Sequence, residues 1–379
     1  MKILKTAVLP KGFKANGMSC GIKKSGKPDL ALFCSLVPAI AALKYTTNQL
    51  PAAPVILNNQ HIKLAKEFHA IIANSGNANA FCGKYGLRVA QVMAQGAAKV
   101  LGVRKENIFV ASTGIIAKKL PVEKIQKALP KLAAGLSHDG IALGKVAIKT
   151  TDKFTKEISV KFNLGNKTIT ICGVAKGAGM ISPKMATLLC FIFTDANITQ
   201  GGLKRSLNEA AEHSFNRITV DGCMSTNDTV ICLANKMAAN ALIDNGTSYK
   251  IFTNALKTVC LALAKMMVAD GEGATKLITL KVSQARSASE AKKIALAIAN
   301  SNLFKTAMYA SSKNIIGRIV ASVGQAGFKI KEEKLKIKYT DLKKKEVSVE
   351  VAVGRGKQSS VVYTSDLTHE YVKINAEYN

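Results

Sequence analysis

The segment KGAGMISPKMATLLCFIFTDA, residues 176–196, sets a lysine, two glycines, a proline and a threonine ahead of an unbroken apolar run. Gly177 and Gly179 permit tight backbone geometry, Pro183 forbids a continuous helix, and Thr187 heads LLCFIF, itself a strand or a helix. A threonine hydroxyl is a weak nucleophile until a base sits beside it, and a threonine at a chain terminus carries that base as its own α-amine. An α-amine titrates near ~7.7–8.0, against ~10.4 for a lysine, so much of it is neutral at physiological pH. The chemistry requires that the bond between Ala186 and Thr187 be cut, and strain at a loop-to-core transition would help the hydroxyl attack the Ala186 carbonyl. Propensity alone reads the same threonine as the first residue of a buried element.

Other routes to catalysis find little support. His61, His69, His138, His213 and His369 form no metal-ligand spacing with one another or with a cysteine, so neither a metal site nor a histidine-based triad is expected. The eight cysteines include no CxxC pair, and most sit in apolar surroundings such as VICLAN. They read as reduced core thiols of a cytoplasmic protein.

The elements that must position Thr187 follow from periodicity. Ile158, Val160, Phe162 and Leu164 alternate, Gly165-Asn166 supplies a turn, and Thr168 to Gly173 run back, so a hairpin delivers Lys176 to the glycine loop. VASTGII, around Thr113 and Gly114, reads as a strand ending in a turn. Helical spacing marks residues 122–136, with Pro130 kinking or ending that helix, and also 203–214 and 250–268, the last ending at Asp270-Gly271. Residues 289–300 form another helix with Ser289 as its cap, and alternating valines from Val347 onward make the end of the chain mostly sheet. Helix and strand patterns interleave without repeats or linkers, which predicts a mixed α/β architecture.

Composition narrows the class. At 379 residues, 48% hydrophobic and 21% charged, the chain can bury a large core, which excludes disorder and collagen-like structure. The longest apolar stretches, 30–43 and 185–193, fall short of the ~18–20 residues of a membrane span, and MKILKTAVLPKGF lacks the apolar region of a secretion signal. Lys plus Arg number 54 against 24 Asp plus Glu, a net charge of +30, which favours polyanionic partners. Only seven of those cations are Arg, Trp is absent, and the lysines are spread along the whole chain, so a nucleic-acid partner is not expected.

The block KGAGMISPKMATLL with TDA after it resembles the processing and nucleophile signature of the bifunctional glutamate N-acetyltransferase/ornithine acetyltransferase family of arginine biosynthesis. GIKKSGKPDLAL, TTNQLPAAPV, IIANSGNANAFCG, VASTGIIAKKLP, FNRITVDGCMSTND, LAKMMVADGEGATK, AIANSNLFKTA and KINAEYN resemble further family segments, in order, from about Gly12 to Asn379. The resemblance implies a layered α/β sandwich of the N-terminal-nucleophile type with a β-rich C-terminal part. It implies self-cleavage between Ala186 and Thr187 into an α chain, 1–186, and a β chain, 187–379, assembling as α2β2. Thr187 would carry the acetyl group from N-acetylornithine to glutamate, with Thr113 and Gly114 as the oxyanion hole. Lys176, Glu272, Asn375 and one or both of Thr150 and Thr151 would bind substrate. No cofactor is implied. Some members take acetyl-CoA as a second acetyl donor, and no residue here decides that choice.

The sequence departs from the family pattern at Cys223 and Lys184, usually Asp and Asn, in YASSKNIIGRI, and at the end, where one more Ser or Thr is common after Asn379. A competing reading is an N-terminal-nucleophile peptidase or amidohydrolase of related fold, in which water accepts the acyl group. Acceptor dependence separates the two.

Overall fold

The computed structural model describes residues 1–182 and 188–377. The chain opens with β1 (Lys2–Leu4), β2 (Phe13–Met18), the long β3 (Leu30–Tyr45), α1 (Ala53–Leu64), β4 (Phe68–Asn77), α2 (Gly83–Leu101), β5 (Ile108–Ile115), α3 (Val122–Ala134) and α4 (Ile141–Ala147). The expected hairpin follows as β6 (Lys156–Leu164) and β7 (Lys167–Lys176), then β8 (Leu189–Thr194), α5 (Gln200–Glu212), β9 (Ile218–Thr219), β10 (Thr229–Ala234) and α6 (Gly246–Ala269). The remainder is β11 (Leu277–Ala285), α7 (Ala288–Ala299), α8 (Asn302–Tyr309), α9 (Ile315–Gln325), β12 (Lys336–Tyr339), β13 (Glu346–Ala352), β14 (Gln358–Ser365) and α10 (His369–Ala376).

Strand β3 ties the first two-thirds together. Its register with β4 shifts between Cys34 and Ala39, a segment that contains Pro38; before it β3 pairs with β2 and β4, and after it residues 40–45 run antiparallel to β10. One strand thereby serves both halves of a sheet of order β1-β6-β7-β8-β10-β3-β4-β5, with β2 also on β3. The halves face each other across an aromatic core, where Phe33 of β3 lies 5.2 Å from Phe191 and 5.5 Å from Phe193 of β8. β8 shows why its sequence is apolar throughout. Leu189, Phe191 and Phe193 enter the core between the halves, whereas Cys190 and Ile192 face the outer layer of α5 and α6. Helices α1, α2 and α3 cover the opposite outer face, completing a helix–sheet–sheet–helix sandwich.

The C-terminal unit is a second sheet, order β12-β13-β11-β14-β9, covered by α7, α8 and α9. Tyr363 of β14 joins the core beneath α6 and so packs this unit onto the sandwich. α6 is long and apolar enough to cross a membrane by length and composition, but Phe252, Leu256, Val259, Leu263 and Met267 bury one side of it in the core.

Pro130 does not end α3, which runs past it to Ala134 with Pro130 exposed and Leu129 and Leu132 anchored in the core. The cap of α7 is Ser287, whose Oγ accepts the Glu290 N–H at 3.0 Å; Ser289 lies inside the helix. The alternating valines from Val347 onward form β13 and β14 as expected, and the short helix α10, capped by Thr368 through the Tyr371 N–H, follows them.

Candidate active site

Five separate parts of the chain converge on one small cavity of about 100 Å³. Thr113 and Gly114 come from the end of β5, Thr150 and Thr151 from the segment after α4, Lys176 from the last position of β7, Glu272 from the turn after α6, and Asn375 from α10. Every one of these residues was singled out from the sequence, and the structure brings them all together. Ala186 and Thr187 lie outside the described residues.

Local geometry explains two of the glycines. Gly114 pairs with Gly76 of β4 beside a register shift and has φ +135°; a Cβ there would stand 2.3 Å from the Gly76 carbonyl carbon, so a side chain is excluded. At Gly179 a Cβ would stand 2.2 Å from Glu272 Oε2, so the absent side chain makes room for that carboxylate.

The cavity is lined by a cation, Lys176, and a carboxylate, Glu272. Lys176 is 4% exposed and its Nζ donates to Thr113 Oγ1 at 3.2 Å. Burial lowers its pKa, more than the neighbouring charges of Asp152 and Glu272 restore it. Glu272 is held on both oxygens: the Thr151 hydroxyl donates to Oε1 at 2.7 Å and Asn375 Nδ2 to Oε2 at 2.9 Å. The two threonines therefore differ. The backbone N–H of Thr150 donates to Asp152 Oδ2 at 3.0 Å, while Thr151 turns its hydroxyl to Glu272.

Supporting residues escaped the sequence reading. Asp152 Oδ1 accepts the Gly177 N–H at 2.8 Å and Lys156 Nζ at 2.5 Å, and Lys156 also bonds Asp270 at the end of α6; all three side chains of this ion cluster are fully buried. Burial would raise the Asp152 pKa, but the charges of Lys176 and Lys156 and the Gly177 N–H outweigh it and hold the carboxyl well below the usual carboxylate range. Asn227 Nδ2 donates to the carbonyls of Ala78 (2.6 Å) and Ser112 (2.9 Å), fixing the strand ends that present Thr113. Asp221 accepts the N–H groups of Met180 (2.6 Å) and Ile181 (2.9 Å) and the Tyr371 hydroxyl (3.3 Å), so it joins the glycine loop to α10. The only sequence signals were that Asp152 follows the threonine pair and that Asp221 and Asn227 stand in FNRITVDGCMSTND.

The profile of the ArgJ family matches residues 14–379. The chain is similar to the arginine biosynthesis bifunctional protein ArgJ of Caldanaerobacter subterraneus subsp. tengcongensis, 42% identical over 98% of this chain and 97% of that protein. It is similar also to the protein of the same name from Geobacter sulfurreducens, 41% identical over 97% of this chain and 99% of that protein. Among solved structures, the ornithine acetyltransferase of Mycobacterium tuberculosis complexed with ornithine is 32% identical over 50% of this chain and 99% of that chain, with a TM-score of 0.45.

Proposed function

The chain belongs to the ArgJ family, and we propose that it is the acetyltransferase that moves the acetyl group of N-acetylornithine to glutamate in arginine biosynthesis, with Thr187 as nucleophile. The observation that carries the reading is that Lys176 and Glu272 line one cavity together with Thr113 and Gly114. Donor and acceptor share an α-carboxylate, for which a buried ammonium is a fitting partner, and ornithine's terminal ammonium fits the carboxylate of Glu272.

In the first half-reaction the Thr187 hydroxyl adds to the acetyl carbonyl and its proton passes to the terminal α-amine. Thr113 and Gly114 stabilise the developing oxyanion. The bond from carbonyl carbon to nitrogen then breaks, the departing amine takes the proton, and ornithine leaves an acetyl ester on Thr187. In the second, the glutamate amine adds to that ester and gives a proton to the terminal α-amine, the bond to the threonine oxygen breaks as that oxygen takes the proton back, and N-acetylglutamate leaves. Kinetics of the ping-pong type follow.

Maturation at Ala186–Thr187 would divide the protein into residues 1–186 and 187–379. Two ladders support their staying together, because β7 pairs with β8 and β3 with β10 across the division. An α2β2 assembly is part of the proposal, as is a cytoplasmic location, for which the free state of all eight cysteines speaks. Acetyl-CoA is proposed as a second donor, with no resident cofactor; an apolar groove of about 510 Å³ adjoins the site at Ile116 and has Lys84 on its wall.

An intact mass spectrum of the purified protein beside T187A tests the reading. Two fragments from the wild type, the second beginning at Thr187, and one uncut chain from the variant are expected. Acetylornithine consumption should then depend on added glutamate. An uncut wild type, or consumption without glutamate, would overturn the proposal.

A further inference from the structure

Ornithine and glutamate differ at the end of the side chain, an ammonium in one and a carboxylate in the other. Glu272 suits the first, and a glutamate side chain laid along the same path would set two carboxylates together, which is unfavourable. A second space, a groove of about 240 Å³, adjoins the cavity, and Thr150 and Thr151 line both. Lys23, Lys24 and Lys118 also line this groove, and no acidic residue does. Lys23 is fixed in place there. The fully buried Asp29 accepts the N–H groups of Cys20 at 2.7 Å, Ile22 at 2.7 Å and Lys23 at 2.9 Å, which holds the backbone of the segment. The Lys23 stem lies against Gly76, the partner of Gly114, where a Cβ would stand 3.0 Å from Lys23 Cγ. Its Nζ donates to the carbonyls of Pro28 and Lys149, each at 2.8 Å, and Lys149 immediately precedes Thr150. Among the described residues these uncharged oxygens take two of its three N–H donors, and the third is left for a ligand.

We propose that Lys23 selects the acceptor: it takes the side-chain carboxylate of glutamate in the groove beyond Thr150 and Thr151, while Glu272 takes the ammonium of ornithine in the cavity. This rests on the function proposed above, in which glutamate accepts the acetyl group. Thr150 and Thr151, common to the two spaces, form the branch. The exposed Lys118 adds to the positive potential of the groove. Burial lowers the Lys23 pKa from 10.5 to about 8, and the charge of Asp29 works against that shift, so the side chain remains a cation at neutral pH. One small site thereby serves two substrates of opposite side-chain charge without either meeting its own sign.

K23M and K118E are compared with the wild type in both half-reactions, because in a ping-pong cycle kcat/KM for each substrate reports its own half. In K23M, kcat/KM for glutamate should fall by about tenfold or more, as for a lost charge-assisted hydrogen bond, while that for acetylornithine stays within about twofold. Glutamine keeps the shape of glutamate and lacks its charge. It should be poorer than glutamate by about tenfold or more as an acceptor for the wild type, and within about threefold of it for K23M. Equal losses in both half-reactions of K23M overturn the proposal, since Lys23 would then only hold the Lys149 carbonyl, and so does a K23M that keeps the wild-type preference for glutamate. K118E, altered at an exposed position, should lower kcat/KM for glutamate by about threefold or more. If K23M does not fold, an unchanged glutamate value in K118E overturns the proposal. A wild type that transfers no acetyl group would sink the proposed function separately. Lys23 is then judged by calorimetry of glutamate binding, which needs no turnover: K23M should bind about tenfold more weakly, and equal affinities, or no binding by the wild type, overturn the proposal.

Discussion

Gly179→Ala perturbs the cavity without touching a core element. The added Cβ would lie 2.2 Å from Glu272 Oε2 and 2.3 Å from its Cδ, whereas ordinary contact begins at 3.4 Å, so the carboxylate must retreat by about 1.2 Å. The retreating group is the end of a flexible side chain, so the backbone can stay in place. A shift of that size stretches the Thr151 bond from 2.7 Å and the Asn375 bond from 2.9 Å beyond hydrogen-bonding range. Bonds to a charged carboxylate contribute about 1.5–3 kcal/mol each when buried. Asn375 is exposed, which places the combined loss nearer 3 kcal/mol, or about 100-fold in kcat/KM. The assay is steady-state acetyl transfer from acetylornithine to glutamate, on protein whose cleavage and melting temperature have been compared with the wild type. Cleavage should be complete and the melting point lower by only a few degrees. Fully cleaved G179A with kcat/KM within about threefold of the wild type would refute the argument that the placement of Glu272 governs substrate capture.

Two further outcomes concern stability. Gly317 and Gly324 lie within α9, and a Cβ at either position meets nothing within 4 Å. G317A and G324A should each raise the unfolding free energy by about 0.5–1 kcal/mol in urea titrations with acetyl transfer unchanged, and a loss of stability would contradict the open space. Lys305 is buried in α8, donates to Thr364 Oγ1 at 3.1 Å and to the Ser365 carbonyl, and burial lowers its pKa from 10.5 to about 8. The unfolded chain therefore binds more protons between pH 8 and 10.5, and stability should rise with pH across that window by on the order of 3 kcal/mol. Below pH 8 the whole cost is present. Urea unfolding at several pH values should show this increment in the wild type and not in K305M; equal slopes in the two proteins would contradict it.

What the sequence by itself determined was local. The alternation of Ile158, Val160, Phe162 and Leu164 around Gly165-Asn166 specified the β6–β7 hairpin, because neighbours in the chain set both the turn and the register. The apolar run after Thr187 specified an element buried on both faces, and its shortness left strand or helix open until β10 and β7 flanked it. Resemblance picked out Thr113, Gly114, Thr150, Thr151, Lys176, Glu272 and Asn375 without saying how they meet. The cap of α7 is set by a spacing of three residues, Ser287 to Glu290, a signal local to the sequence.

Only the tertiary structure decided the rest. That β3 serves two halves of a sheet, that α10 folds back so Asn375 meets Glu272, and that Lys156 is shared by Asp152 and Asp270 all depend on which layers stack. So does the grip of Asp228 on Leu188, two residues 40 positions apart. Periodicity reports which face of an element turns inward. The partners met by a buried charge are set by the packing of segments remote in the chain, and carry no local signal.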